Sequence, residues 1–413
     1  MSSKKKIILT LISIFILLVI VIVANNSFLK KKAKLYIPFD VITFFKVITN
    51  YDGNLFAHYE NDYKVKFLPE TQWITVKFSK NNLDFIKRGK LGSYPFLIDF
   101  NQDDLYLTDT SGSIYVSDIN HVLDGDTSKF KKIKTNLSQK IAESVMIDKP
   151  DILIIKDKIY FASGRTDNDC TSVELYSGNL SKDFIEFKLI FSTKKRFNTC
   201  LNFKNNFGRI EHYFDGIDDN ILLSIGHSGI DNDDTFGSII LINEQKKYSE
   251  TFAKGLRGVL GIYADENLIL AVDNGPKGGD EINKIEKGNH YGFPFVSYGE
   301  KYVNPDYSTP TYLENHEKKG FTEPIHAFVY AYGTAEIMKL PNDFSNFWQD
   351  NFIITTLNGR HLLRIKFSED YNKLLYNERI YVGERIRDIK YHKNSKSLIL
   401  ALTSTGSIGI MKN

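Results

Sequence analysis

Asp280 and Glu281 are adjacent acids inside residues 274–299, NGPKGGDEINKIEKGNHYGFPFVSYG, a stretch with six glycines. Gly275, Gly278 and Gly279 free the backbone to adopt positive φ and to approach a ligand closely. A Gly275-Pro276 turn can aim main-chain carbonyls at one point. Carbonyl and carboxylate oxygens are what calcium takes, six to eight of them at roughly 2.3–2.6 Å. The same letters also describe a surface turn whose acids face water, because Gly-Pro and Gly-Gly turns are common. Neither a phosphate-binding GxxxxGK[ST] loop nor a GxGxxG turn is present.

The elements that must hold this stretch read as β-hairpins. Residues 104–118 (DLYLTDTSGSIYVSD) place a Thr110-Ser111-Gly112-Ser113 turn between two β-rich runs. Residues 151–162, 208–226, 261–272, 351–367 and 387–410 repeat the theme. Period-2 patterning and turn chemistry predict hairpins in each, and no long helical period interrupts them. So many strands without helices must protect their sheet edges, and radial repetition of small sheets does so. The spacing predicts an all-β, six-bladed propeller over residues 35–413, with a pair of β-sandwiches as the alternative. In each hairpin, the chain enters the first strand and leaves the second on the same side. The segment before Gly208, with Asn205 and Asn206, therefore shares a face with His227 and the acids 231–234.

Residues 7–24 (IILTLISIFILLVIVIVA) carry no charge and follow Lys4, Lys5 and Lys6. As a helix they cover roughly 27 Å, close to the thickness of a hydrocarbon core. Their length and the lack of a small-x-small site predict a retained signal anchor spanning 1–34 with its flanks, rather than a cleaved peptide. Lysines stand on both sides, so orientation is not set by charge. Residues 1–34 hold seven lysines and no acid in a chain of formal charge +3, which leaves −4 for the rest. That balance gives no support for a nucleic-acid surface. Cys170 and Cys200 have no metal-binding spacing, which argues against a cysteine-based zinc site. In an exported domain they are either one disulfide, worth about 3 kcal/mol, or two buried thiols.

Residues 275–299 resemble the GPxGGDExNxIxxGxNYGWPxxSYG signature of the soluble pyrroloquinoline-quinone-dependent aldose sugar dehydrogenases, the glucose/sorbosone dehydrogenase family. Three weaker resemblances keep the family's order: GRIEHYFDGIDDNILLSIG at 208–226, AKGLRGVLGIYAD at 253–265 and ERIRDI at 384–389. The resemblance implies a six-bladed propeller, a sugar substrate, bound quinone and calcium. It maps carbonyls of Gly275 and Pro276 to a calcium that also holds the quinone. Glu281 and the main chain of Tyr291 map to a second calcium. Arg257, Arg385 and Arg387 map to quinone contacts, a role suited to a planar fork that pairs carboxylates bidentately. Their alternative is an ordinary ion pair.

The chain departs from the family at the chemistry. Asn205 stands at the position of the family's histidine base, and an amide cannot accept a proton near neutral pH. Gly258 and Asn358 replace a family asparagine and lysine. His227, on the same face as Asn205, is the candidate substitute base; a solvated loop histidine is the plainer reading. His290 reads as a turn residue, and 229–237 as Asx turns rather than a calcium loop. The implied function is a membrane-anchored, exported sugar dehydrogenase with its propeller on the periplasmic or extracellular side. The alternative is a catalytically impaired propeller that binds a sugar or protein ligand in the envelope.

Overall fold

The computed structural model describes residues 77–89, 92–137, 150–167, 170–194, 208–227, 237–299 and 315–413. The anchor at 7–24, Cys200, Asn205, Asn206 and the acids 231–234 lie outside these. No helix among the described residues is long and apolar enough to cross a membrane.

Six sheets form a ring. The first holds β2 (Phe96–Asn101), β3 (Asp104–Asp109), β4 (Ile114–Asp118) and β5 (Lys131–Thr135), and β9 (Phe184–Ile185) joins its edge in parallel. The second holds β6 (Asp151–Ile155), β7 (Lys158–Asp167), β8 (Cys170–Asn179) and β10 (Lys188–Ser192). The third runs β11 (Ile210–Phe214), β12 (Asp219–Ile225), β13 (Ser238–Asn243) and β14 (Tyr248–Lys254). The fourth runs β15 (Val259–Ala264), β16 (Ile269–Asp273), β17 (Asp280–Lys284) and β18 (His326–Phe328). The fifth runs β19 (Thr334–Lys339), β20 (Asn351–Thr356), β21 (His361–Phe367) and β22 (Leu374–Tyr381). The sixth joins β23 (Ile386–His392), β24 (Ser397–Leu402) and β25 (Ser407–Lys412) to β1 (Lys77–Asn82), which comes from the other end of the chain. The inner strands β2, β6, β11, β15, β19 and β23 touch in that order and return to β2. This is the six-bladed propeller expected from the hairpins, and all six hairpins lie where the sequence puts them.

Each seam between blades holds its own apolar cluster. On β12, Ile221, Leu223 and Ile225 face the second blade while Leu222 faces the fourth. On β24, Ile399 and Ala401 pack on the first blade and Leu398, Leu400 and Leu402 on the fifth. A blade strand is buried on both faces, so ILLSI and LILAL are continuous apolar runs rather than alternating ones. At the axis the strands crowd. A Cβ on Gly261 would lie 2.5 Å from the Ala335 carbonyl oxygen, which excludes any other residue there.

Charge fills the axis. The buried Arg209 guanidinium lies 2.8 Å from Asp388 Oδ1 and 3.5 Å from Asp151 Oδ1, and also contacts Glu336. The carboxylates clasp neighbouring blades. Asp388 accepts the Ile98 N–H at 2.9 Å, Asp99 the Ile154 N–H at 2.6 Å, and Asp151 the Ile210 N–H at 2.9 Å. Burial pushes Asp151 up to about 6, against the pull of Arg209, and pushes Glu211 up to about 7 against Lys390.

Two outcomes follow from this packing. Leu400→Ala should cost about 2–5 kcal/mol and lower the urea midpoint, because it opens a cavity in the seam between the fifth and sixth blades. Arg209→Met should cost about 3–5 kcal/mol at pH 7.5, since it leaves buried carboxylates without their cation. Asp151 holds its proton more tightly when folded than at its unfolded value of 3.8. Its contribution to stability therefore falls as pH rises through about 4–6. Without Arg209 its carboxyl rises further, so the gap between variant and parent should narrow at pH 5. Urea titrations at the two pH values check this.

Candidate functional site

The connection between β16 and β17 carries the glycine-rich turn. The pleat sends its two adjacent acids to opposite faces. Asp280 turns toward the entrance of the fifth blade, where it accepts N–H groups of Gly275 (3.1 Å), Gly333 (2.7 Å) and Thr334 (3.3 Å). Burial raises it to about 7 despite these donors. Asp280 is thus a structural anchor. Glu281 turns the other way, into a small cleft lined by Arg257, Asp273, Gly275, Tyr291 and His316, among others.

Glycine is needed here by both space and conformation. Gly279 has φ 67°, and a Cβ on it would fall 2.1 Å from the Gly299 nitrogen. A Cβ on Gly275 would fall 2.1 Å from the Gly278 carbonyl oxygen. The loop is folded on itself, with its return at Gly299 packed against Pro276.

Arg257 reaches this loop from the β14–β15 connection. Its Nη1 donates to the carbonyls of Asn274 (2.8 Å) and Gly275 (2.9 Å). Asp273 accepts the main-chain N–H groups of Arg257 and Gly258, and burial pushes it up to about 6. Asp273 and Glu281 are direct cross-strand partners on β16 and β17. Burial first, and the Asp273 charge second, hold the Glu281 carboxyl well above the usual carboxylate range. Tyr291 is fully buried, and its hydroxyl donates to the Lys284 carbonyl and accepts the Glu286 N–H. That ring is a structural strut, which leaves its main chain for any ligand role.

Of the residues singled out in the sequence, Arg257, Gly275, Glu281 and Tyr291 therefore share one cleft. Arg385 and Arg387 stand apart, where the chain enters β23 at the axis. Arg387 is 6% exposed, and its Nη1 has no hydrogen-bond partner. Burial, then the like charges of Arg209 and Arg385, push it down to about 9. Arg385 donates to Asn358 Oδ1 at 2.7 Å, and burial followed by the Arg360 charge lowers it to about 10. His227 is 2% exposed; its main-chain N–H donates to the Arg257 carbonyl at 2.7 Å and its ring meets Phe293 edge-on. The position of His227 joins the face to the cleft, and its burial makes it a packing residue in this arrangement. His290 Nδ1 accepts the Gly292 N–H at 3.0 Å, which is a turn contact.

His316 was not legible in the sequence. It lies beyond the signature in a polar stretch without motif, and only folding brings its Nε2 to 3.7 Å from Glu281 Oε1. Among the described residues no three His, Cys, Asp or Glu side chains are grouped around one ion position.

The glucose/sorbosone dehydrogenase family profile matches residues 158–411. An uncharacterized protein of Synechocystis sp., slr1608, is 24% identical over 168 residues, 40% of each chain. The aldose sugar dehydrogenase YliI of Escherichia coli is 25% identical over 171 residues, 40% of this chain and 45% of that one. The chain thus matches under half the length of these curated relatives. A glucose dehydrogenase crystal structure aligns with a TM-score of 0.65 at 18% identity, over 82% of this chain and 99% of that one. The apo soluble aldose sugar dehydrogenase of Escherichia coli gives 0.63 at 17%, over 82% and 99%. The holo PQQ domain of a pyranose dehydrogenase from Coprinopsis cinerea gives 0.55 at 11%, over 83% and 98%. These likenesses establish the fold, and the profile, which covers more than half of the sequence, establishes that the chain belongs to the glucose/sorbosone dehydrogenase family.

Proposed function

We propose that this chain is a sugar dehydrogenase-type propeller that binds pyrroloquinoline quinone at its axial mouth, held at a membrane by residues 7–24 with the propeller exported. The observation that carries the reading is Arg387. A buried guanidinium with an unpartnered Nη1 and like charges beside it is costly to keep without an anion. A polycarboxylate quinone fits that donor set. Arg385 and Arg387 would pair its carboxylates, and Asn358 orients Arg385. When bound, the quinone supplies the acceptor for a hydride from the sugar's anomeric carbon.

Calcium at Gly275 and Pro276 belongs to the same proposal. The Gly275 carbonyl presently accepts from Arg257, so the carbonyl is open to a cation once Arg257 turns toward the quinone. The proton from the sugar hydroxyl needs an acceptor, and Asn205 cannot serve as one. His227 is the candidate on that face, and the role requires its ring to leave Phe293. These two facts favour a second reading, a propeller that binds a sugar or protein ligand without turnover.

Calorimetric titration of the quinone into the calcium-loaded full-length protein tests the proposal. Saturable binding is expected, weakened at least about tenfold in Arg387→Gln, which keeps bulk and loses charge. Absence of binding overturns it. Asn205→His should raise aldose oxidation without tightening quinone binding. Activity confined to that variant establishes the second reading.

A further inference from the structure

Glu384 directly precedes Arg385 and is buried. Its Oε1 accepts from Lys80 Nζ at 2.7 Å, and the Thr405 hydroxyl shares its proton between the two carboxylate oxygens at 3.0 and 3.1 Å. Lys80 belongs to β1, the strand that comes from the other end of the chain to close the sixth blade. We propose that Glu384 is a positioning residue for Arg385 and Arg387, locked by Lys80, so that anion binding by the two arginines requires β1 to be docked. The ligand half of this inference rests on the proposed function; the lock itself does not.

The backbone around the arginines is of a kind that needs such a fastening. Strands β23 and β24 change register between Ile386 and Asp388, so Arg387 is the extra residue of a bulge. A bulged residue has no cross-strand partner, and its side chain points where the flanking backbone sends it. The flanking backbone is held by the β24–β25 turn. Arg385 donates its main-chain N–H to Ser404 Oγ at 3.1 Å, and its carbonyl accepts the Thr403 N–H at 2.8 Å. The same turn and the start of β25 grip the N-terminal strand on their other side. Leu83 donates its N–H to the Gly406 carbonyl at 2.9 Å, and Ser407 Oγ donates to Asn82 Oδ1 at 2.7 Å. Residues 403–407 therefore stand between β1 and the arginines, and the Lys80–Glu384 pair bridges them directly.

The pair also keeps charge in order. A buried carboxylate that loses its cation must find another or move toward water. The cations next to Glu384 along the chain are Arg385 and Arg387, the donors a ligand needs. At present those two are perturbed by burial first and then by neighbouring guanidiniums, Arg360 beside Arg385 and Arg209 beside Arg387. Lys80 holds the Glu384 carboxylate in a separate pair.

Hydrogen exchange of the full-length protein, read by mass spectrometry without quinone, decides the lock. Lys80→Met and Glu384→Gln should each speed amide exchange across residues 384–388 and 403–405 at least about fivefold, and Lys80→Arg should stay close to the parent. The double variant should differ little from the worse single one, because both changes cut the same contact. Lys156→Met removes an exposed pair with Asp219, also at 2.8 Å, and should leave exchange at 384–388 unchanged. Calorimetry then reads the consequence. Lys80→Met should weaken quinone binding at least about fivefold, and Lys156→Met should not. Exchange unchanged at 384–388 in both variants, or raised equally over all blades, overturns the inference. So does quinone affinity that ignores Lys80→Met. A parent that binds no quinone overturns the proposed function instead, and exchange still decides the lock.

Discussion

The Arg209 guanidinium at the propeller axis is the contact on which the other features depend. It pairs with carboxylates from the second, fifth and sixth blades while sitting on the third. One cation thereby ties four blades together at their inner strands. A buried charge with several partners contributes little net stability against an apolar core, but its removal strands every partner. The same carboxylates carry a second duty, because Asp388 and Asp151 each hold an inner-strand N–H group of the next blade. Angular spacing and charge balance are thus set by the same atoms.

The candidate ligand-binding arginines lie at the starts of inner strands, Arg257 just before β15 and Arg385 just before β23. Arg387 stands at the start of the inner strand of the sixth blade, and its Nη1 has no hydrogen-bond partner while Asp151 and Asp388 pair with Arg209. An inner strand with one more acid would have closed Arg387 into a structural pair.

The glycine-rich turn works by separation. Adjacent acids on a strand cannot serve one site, because the pleat gives them opposite faces. Asp280 is spent on orienting the entrance to the fifth blade, and Glu281 alone enters the cleft. The glycines of the turn serve close packing against residues 297–299 as much as any approach to a ligand. Arg257 is the bridge, since it takes its own shape from Asp273 and lays its guanidinium on the Gly275 carbonyl.

The hairpins, their number and the propeller were legible in the sequence, since turn residues and β-rich runs are local and each blade repeats them. The family was legible for the same reason, its signature being one continuous loop and strand. The cleft was half legible. Gly275, Glu281 and Tyr291 lie within one signature, and the β15–β16 hairpin returns the chain so that Arg257 stands beside it. Burial on both blade faces erased the alternation that marks a half-exposed strand, so which residue faces which seam had to come from the fold. The placing of His316 beside Glu281 and the four-blade pairing of Arg209 were decided only by tertiary structure. Their partners lie far off in the chain, and a lone charged or imidazole side chain carries no mark of what folding will set beside it.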